Sequence, residues 1–311
     1  MPPEEEQNRI ADFLDAHGRL TTRLIRNKRR LIGLLNEKRQ AIINRAVTRG
    51  LNPDAPMKPT GIDWMPEVPA HWEVKPLKQI CEVLFSNVDK HSHDDELPVR
   101  LCNYTDVYKN DFITSDMDFM TATATPAEIE RFHLKIGDVM ITKDSEAWDD
   151  IGVPAIVTEA LEGVLCGYHL ALLRAERDAL LPMFLFRALT APSIAQQLYV
   201  EATGVTRYGL SKQAIKNLLL PVPPLREQSD LVDAMAAAIE PLSALVERVN
   251  QEISLVREYR ERLIADVVTG KLDVRHIEIA APADEPVAEE DDALDEDLEA
   301  EDTDELTEAL D

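Results

Sequence analysis

With 311 residues, 45% of them hydrophobic and 29% charged, the chain can bury one or two cores and still carry appendages. The net charge of −25 argues against nucleic acid only until it is located: 17 of the 58 acids and none of the 33 bases lie in residues 277–311. Three scattered cysteines (Cys81, Cys102, Cys166), no apolar run near the roughly 18 residues of a membrane span, and an acidic, polar start exclude a disulfide framework, a membrane helix and a signal peptide, and imply a cytoplasmic protein.

The chain opens on MPPEEEQNRIADF, and 221 residues later VPPLREQSDLVDA repeats the phrase. At that fixed offset Pro2, Pro3, Glu6 and Gln7 fall on Pro223, Pro224, Glu227 and Gln228. The match continues without a gap through Leu24 on Leu245, Ile32 on Ile253, Glu37 on Glu258, Ile43 on Ile264 and Val47-Thr48 on Val268-Thr269.

Each copy predicts a long helix. Prolines fit ahead of or in a first turn, glutamates favour the positive end of the helix dipole, and Gly50 and Gly270 mark the ends. A helix of about 43 residues is roughly 65 Å long, a spacer's length rather than a compact domain's. Apolar residues at three and four predict a narrow seam, Ile10, Phe13, Leu20, Leu24, Leu31, Leu34 and Ala41 in the first copy. In the second copy it is Leu231, Met235, Ala238, Leu242, Leu245, Val249, Val256, Tyr259 and Leu263. Such helices can pair antiparallel within the chain or with copies from another chain, and His17 and Asn27 in the first seam are read as register-setting polar residues. From Asn8 to Gly50 there are 11 bases against three acids, so the first helix is basic.

Residues 53–222 change texture, with short apolar runs, prolines and scattered aromatics. LPVRLCNYTDVY predicts a strand then a turn; LKIGDVMITKD predicts a turn at Gly137-Asp138 feeding a strand; VPAIVTEALEGVLCGYHLALLRA predicts two strands joined around Gly163. LLPMFLFRALTAPSIAQQLYVEA is helical and broken by Pro192, and SKQAIKNLLLPVPP is a short helix, a strand and the entry to the second long helix. The whole is mixed α+β and mostly antiparallel.

No phosphate loop, nucleophile elbow or H-E-x-x-H motif is present. HSHDD (His91 to Asp95) reads as a solvated loop sooner than a metal site, and Asp138 and Asp144 show no recognisable partner, turn chemistry accounting for Asp138. The distinctive segments are CNYTDVYKND, TKDS, GYH and GVTRYGLSK, which mix cations, amides or hydroxyls and aromatics of the kind that contact phosphates and base edges. The tail from Ile277 on, rich in Ala, Asp and Glu without aromatics, predicts disorder.

TGIDWMPEVPAHWEVKPLKQI, LKIGDVMITKDS, ATGVTRYGLSKQAIKNLLLPVPPLREQ and RERLIADVVTGKLDVR, in this order, resemble the specificity subunit of type I restriction-modification systems, over about residues 2–275. The resemblance implies an α+β fold: a spacer helix (1–52), one target recognition domain (53–222), a second spacer helix (223–275) forming an antiparallel coiled coil with the first, and the acidic tail (276–311). It implies a non-catalytic protein without cofactor or metal that binds double-stranded DNA, directs methyltransferase (M) subunits and is joined by restriction (R) subunits. A full family member carries two recognition domains, so this chain resembles a half-length form, expected to dimerise through its helices. The alternative reading is a coiled-coil scaffold that binds only proteins. Carried over to this sequence, the recognition surface comprises Asn103, Tyr104, Lys109, Lys143, Ser145, Tyr168, His169, Thr206, Arg207 and Tyr208. Arg19, Arg23, Arg26, Arg29 and Arg30 are candidates for the DNA backbone or a methyltransferase partner.

Overall fold

The structure, a computed structural model, describes residues 2–277; the expectation of a disordered tail therefore lies almost wholly outside the described residues. The chain divides into two compact units, one from Arg30 to Val249 and the other joining residues up to Arg29 with those from Asn250 onward.

Helix α1 (Glu4–Arg49) carries three glutamates in its first turn and ends at Gly50, whose φ of 72° closes it in the left-handed conformation. A hairpin follows, β1 (Met57–Ile62) and β2 (Met65–Pro69), then β3 (Glu73–Pro76), a 3-10 turn and β4 (Cys81–Phe85). Next come β5 (Leu97–Cys102), α2 (Tyr104–Lys109), β6 (Phe112–Ile113), β7 (Met120–Ala124) and α3 (Pro126–Phe132). The centre holds β8 (Val139–Thr142), β9 (Asp144–Ser145), β10 (Pro154–Val157), β11 (Val164–Cys166) and β12 (Leu170–Ala175). Helices α4 (Pro182–Leu189) and α5 (Pro192–Tyr199) precede β13 (Thr203–Gly204), β14 (Tyr208–Gly209), α6 (Lys212–Asn217), β15 (Leu219–Val222) and α7 (Leu225–Val268).

The organising element of the larger unit is a five-stranded sheet in the order β4-β12-β8-β10-β6, with only the β10–β6 pair parallel. Its central strands read as unbroken apolar runs because both faces are buried. Val139, Ile141, Ile156, Ala171 and Leu173 join one core, with α4, α5, the end of α1 (Ile43, Ala46, Val47) and the start of α7 (Leu231, Met235, Ile239). Their alternates Met140, Ala155, Val157, Leu170 and Leu172 join a second core with β5, β7, β11 and α3. The period-two alternation of a strand thus assigns neighbouring residues to different cores.

In the smaller unit α1 and α7 run antiparallel. Phe13 packs with Leu263 and Val267, His17 lies 5.7 Å from the Tyr259 ring, and Lys28 pairs with Glu252, so positions rise on one helix as they fall on the other.

Several expectations change. CNYTDVY forms strand then helix, because Asn103 caps α2 and Asp106 Oδ2 returns to the Asn103 N–H at 2.7 Å. VPAIV to LLRA forms three strands, since the chain turns again at Gly167. The first seam is rotated: Leu20, Leu24, Leu31 and Leu34 are exposed, whereas Phe13, Thr21, Ile25, Leu35 and Ile43 are buried. Thr21 satisfies its hydroxyl on the His17 and Gly18 carbonyls, which lets a polar residue occupy the seam. His17 stacks on Phe13 inside the seam, and Asn27 is exposed. In α7, Leu231, Met235, Val249 and Leu263 are buried as expected, Ile239 replaces Ala238, and Leu245 and Tyr259 are exposed.

Candidate functional site

Four chain segments meet at one edge of the larger unit. Strand β9 pairs with β14, setting Ser145 opposite Tyr208 and Asp144 opposite Gly209, and β14 pairs back on β13. The turn between β13 and β14 carries Thr206 and Arg207, both exposed. Lys143 N–H donates to the His169 carbonyl at 3.1 Å, and the Lys143 carbonyl accepts from Leu210 N–H at 2.8 Å, tying the β11–β12 loop and the β14 strand to the same residue. Gly167 in that loop lies against α2; a Cβ there would stand 2.7 Å from the Cys102 carbonyl and 3.2 Å from Asn103 Oδ1, so only glycine permits the approach.

Side chains complete the cluster. Tyr104 lies beside Ser145 and in the field of Arg207, and stacks on Tyr108 with ring centroids 5.5 Å apart. Burial raises its hydroxyl above the ordinary tyrosine range. Lys143 Nζ sits 4.4 Å from the centre of the Tyr168 ring, a cation–π contact, and Tyr168 meets His169 edge-on at 4.9 Å. His169 Nδ1 is 2.9 Å from Asp144 Oδ2, which fixes the ring. Of the ten residues proposed from sequence, nine belong to this neighbourhood or its hairpin tip; Lys109, exposed at the end of α2, makes none of the contacts described for the others.

Sequence reasoning missed Tyr108, Asp144 and Asp150. Tyr108 donates to Asp150 Oδ2 at 2.6 Å, and that bond pushes its hydroxyl up to about 12. The i, i+4 spacing of Tyr104 and Tyr108 carried the signal, invisible while the segment was read as a turn. Asp144 does have a partner, His169, and so does Asp138. Asp138 accepts from Lys135 N–H at 2.9 Å, as turn chemistry requires, and from Arg174 Nε at 3.0 Å. Desolvation raises the Asp138 carboxyl, against the Arg174 hydrogen bond that lowers it.

His91 to Asp95 are all exposed in the loop before β5. Among the described residues no group of three or more His, Cys, Asp or Glu gathers closely enough to hold a metal ion, and no helix is long and apolar enough to cross a membrane. The three cysteines are buried, which raises their thiols, Cys81 to about 12. On α1, Arg19, Arg23, Arg26 and Arg30 follow at four, three and four residues, one stripe on the face away from Thr21 and Ile25; Arg29 flanks it.

The family model described as the type I restriction modification DNA specificity domain matches residues 69–255. Similar curated proteins include a putative type I restriction enzyme MjaX specificity subunit of Methanocaldococcus jannaschii, 22% identical over 65% of this chain and 47% of the relative. The type I restriction enzyme MjaVIII specificity subunit of the same organism is 21% identical over 89% of this chain and 62% of its own. The EcoBI specificity subunit of Escherichia coli is 24% identical over 88% and 58%. A solved chain from work on complex assembly and conformational transition of the type I R-M system shares the fold, with a TM-score of 0.60 at 18% identity over 88% of this chain and 61% of that one. The chain thus spans about half to three-fifths of the length of the relatives it matches.

Proposed function

Because the chain belongs to the type I restriction modification DNA specificity family, we propose that it reads a DNA sequence for a type I complex, with residues 53–222 as its target recognition domain. The observation that carries this reading is the convergence of Tyr104, Lys143, Ser145, Tyr168, His169 and Arg207, from four separate segments, on one edge of the domain. Four acids, Asp144, Glu146, Asp149 and Asp150, lie in the same stretch as Ser145. A surface so mixed in sign suits base edges better than a row of phosphates, since carboxylates accept from cytosine N4 and arginine donates to guanine.

In this reading the long helices set spacing and receive methyltransferase subunits, restriction subunits join for cleavage, and the chain, working in the cytoplasm, has no catalysis or cofactor of its own. With one recognition domain, two chains joined through their helices read a two-fold symmetric, interrupted site. Light scattering together with methylation-site mapping tests this: a strict monomer that directs methylation to an asymmetric site ends the dimer proposal. Substituting Arg207 by Ala is expected to weaken specific binding by about 1–3 kcal/mol if it reads a base, and to weaken cognate and scrambled DNA equally if it contacts phosphate. The competing scaffold reading, favoured by the 41 acids against 33 bases of residues 1–276, predicts no salt-sensitive DNA binding in a gel-shift series.

A further inference from the structure

We propose that Val205, at the tip of the β13–β14 ribbon, reads a thymine methyl group in the DNA major groove. This rests on the DNA-reading function above and names one specificity-determining contact within it.

Isolated apolar side chains are common on protein surfaces, and exposure alone assigns nothing. Val205 is set apart by degree and by place. It is 89% exposed, more than any other large hydrophobic side chain among the described residues, the next being Val268 at 64%. Gly204 pairs with Tyr208, and residues 205–207 close the ribbon between them. The closure is tight, because a Cβ on Gly204 would stand 2.0 Å from the Arg207 carbonyl oxygen, an approach that only glycine permits. The ribbon is also anchored at its base: Tyr208 pairs with Ser145 and Gly209 with Asp144, and Leu210 N–H donates to the Lys143 carbonyl at 2.8 Å. A valine is thus held out in water by a fixed support, on the edge where the candidate reading residues meet.

Groove dimensions then select the ligand. A two-stranded ribbon enters the major groove, about 12 Å wide, and not the minor groove, about 6 Å wide. Among the groups that base edges present in the major groove, the C5 methyl of thymine is the apolar one; the others donate or accept hydrogen bonds. Valine can do neither, so the methyl group is its complement there. Thr206 and Arg207, exposed in the same turn, supply the polar contacts that valine lacks.

A double cycle of protein and DNA changes on the full chain tests this. Once methylation mapping has given the site, each thymine is replaced in turn by deoxyuridine, which removes the methyl group alone. Affinity is then measured by gel shift for the unsubstituted chain and for Val205→Ala, an exposed position where truncation leaves the fold intact, as circular dichroism checks. At one thymine the replacement is expected to weaken the unsubstituted chain about fourfold, the worth of one buried methyl group, and to change Val205→Ala less than about 1.5-fold. At the remaining thymines the two proteins should respond alike. Deoxyuridine effects that are equal in both proteins at every thymine overturn the proposal, as does a mapped site without an A·T pair. An unsubstituted chain that binds no DNA ends the DNA-reading function and this contact with it, a result distinct from either.

Discussion

The two repeat copies begin with the same local bond and end in different surroundings. Gln7 Nε2 donates to the Pro2 carbonyl and Gln228 Nε2 to the Pro223 carbonyl, each at 2.8 Å across five residues. Gln228 is fully buried and also bonds the Ala179 carbonyl at 2.9 Å and Leu181 N–H at 2.8 Å, seating the start of α7 on the larger unit; Gln7 is exposed. At the other ends the order reverses. Ile43 and Val47 are fully buried, whereas Ile264 and Val268, their equivalents, are 40% and 64% exposed. The repeat therefore encodes a helix with its own entry cap, and tertiary neighbours decide which end of it becomes core.

Paired substitutions sharpen or break this contrast. The largest difference is expected between Ile43→Ala, about 2–5 kcal/mol of lost stability, and Ile264→Ala, at most about 1 kcal/mol, read from denaturant midpoints. Next, Gln228→Ala removes the partner of the half-buried Ala179 carbonyl and Leu181 N–H and of the Pro223 carbonyl, and should cost about 1–3 kcal/mol, against a few tenths for Gln7→Ala. Comparable losses at both glutamines would mean that the shared local bond, and not burial, carries the energy. The smallest difference concerns Gly50 and Gly270, both left-handed at φ 72° and 74°. Alanine should cost about 1 kcal/mol at each, and more at Gly50, where its Cβ would meet Trp72 Cζ2 at 3.2 Å while the Cβ at Gly270 meets nothing.

The same contrast explains what was legible in the sequence. The helices, their glycine stops, the break at Pro192 and the entry through β15 depend on local rules, and all could be read from residue type. The seam of α1 could not, because Leu20, Leu24, Leu31 and Leu34 form a second apolar stripe that looks like the packed one, while buried Thr21 looks polar. At the candidate site, aromatic and cationic residue types singled out loops that the fold brings together. The Asp144–His169 and Tyr108–Asp150 pairings cross 25 and 42 residues of chain, and no spacing rule reaches that far. Asp138 and Arg174, 36 residues apart, were hidden in the same way.

That last pair has a consequence for alignment. A strand with one wet face is held in place because slipping by one residue turns its apolar set outward. Strands β8 and β12 are buried on both sides, so a slip would only trade Ala171 for Leu172 and Val139 for Met140, a change of shape with little change of polarity. Arg174 at the end of β12, clamped to Asp138 just before β8 and to the His133 carbonyl at 2.6 Å, supplies the missing key, since a shifted ladder would strand a charge. An uncharged isosteric pair at these positions should fold with similar stability yet populate more than one strand offset, and the loops at the strand ends would then present their side chains in more than one frame.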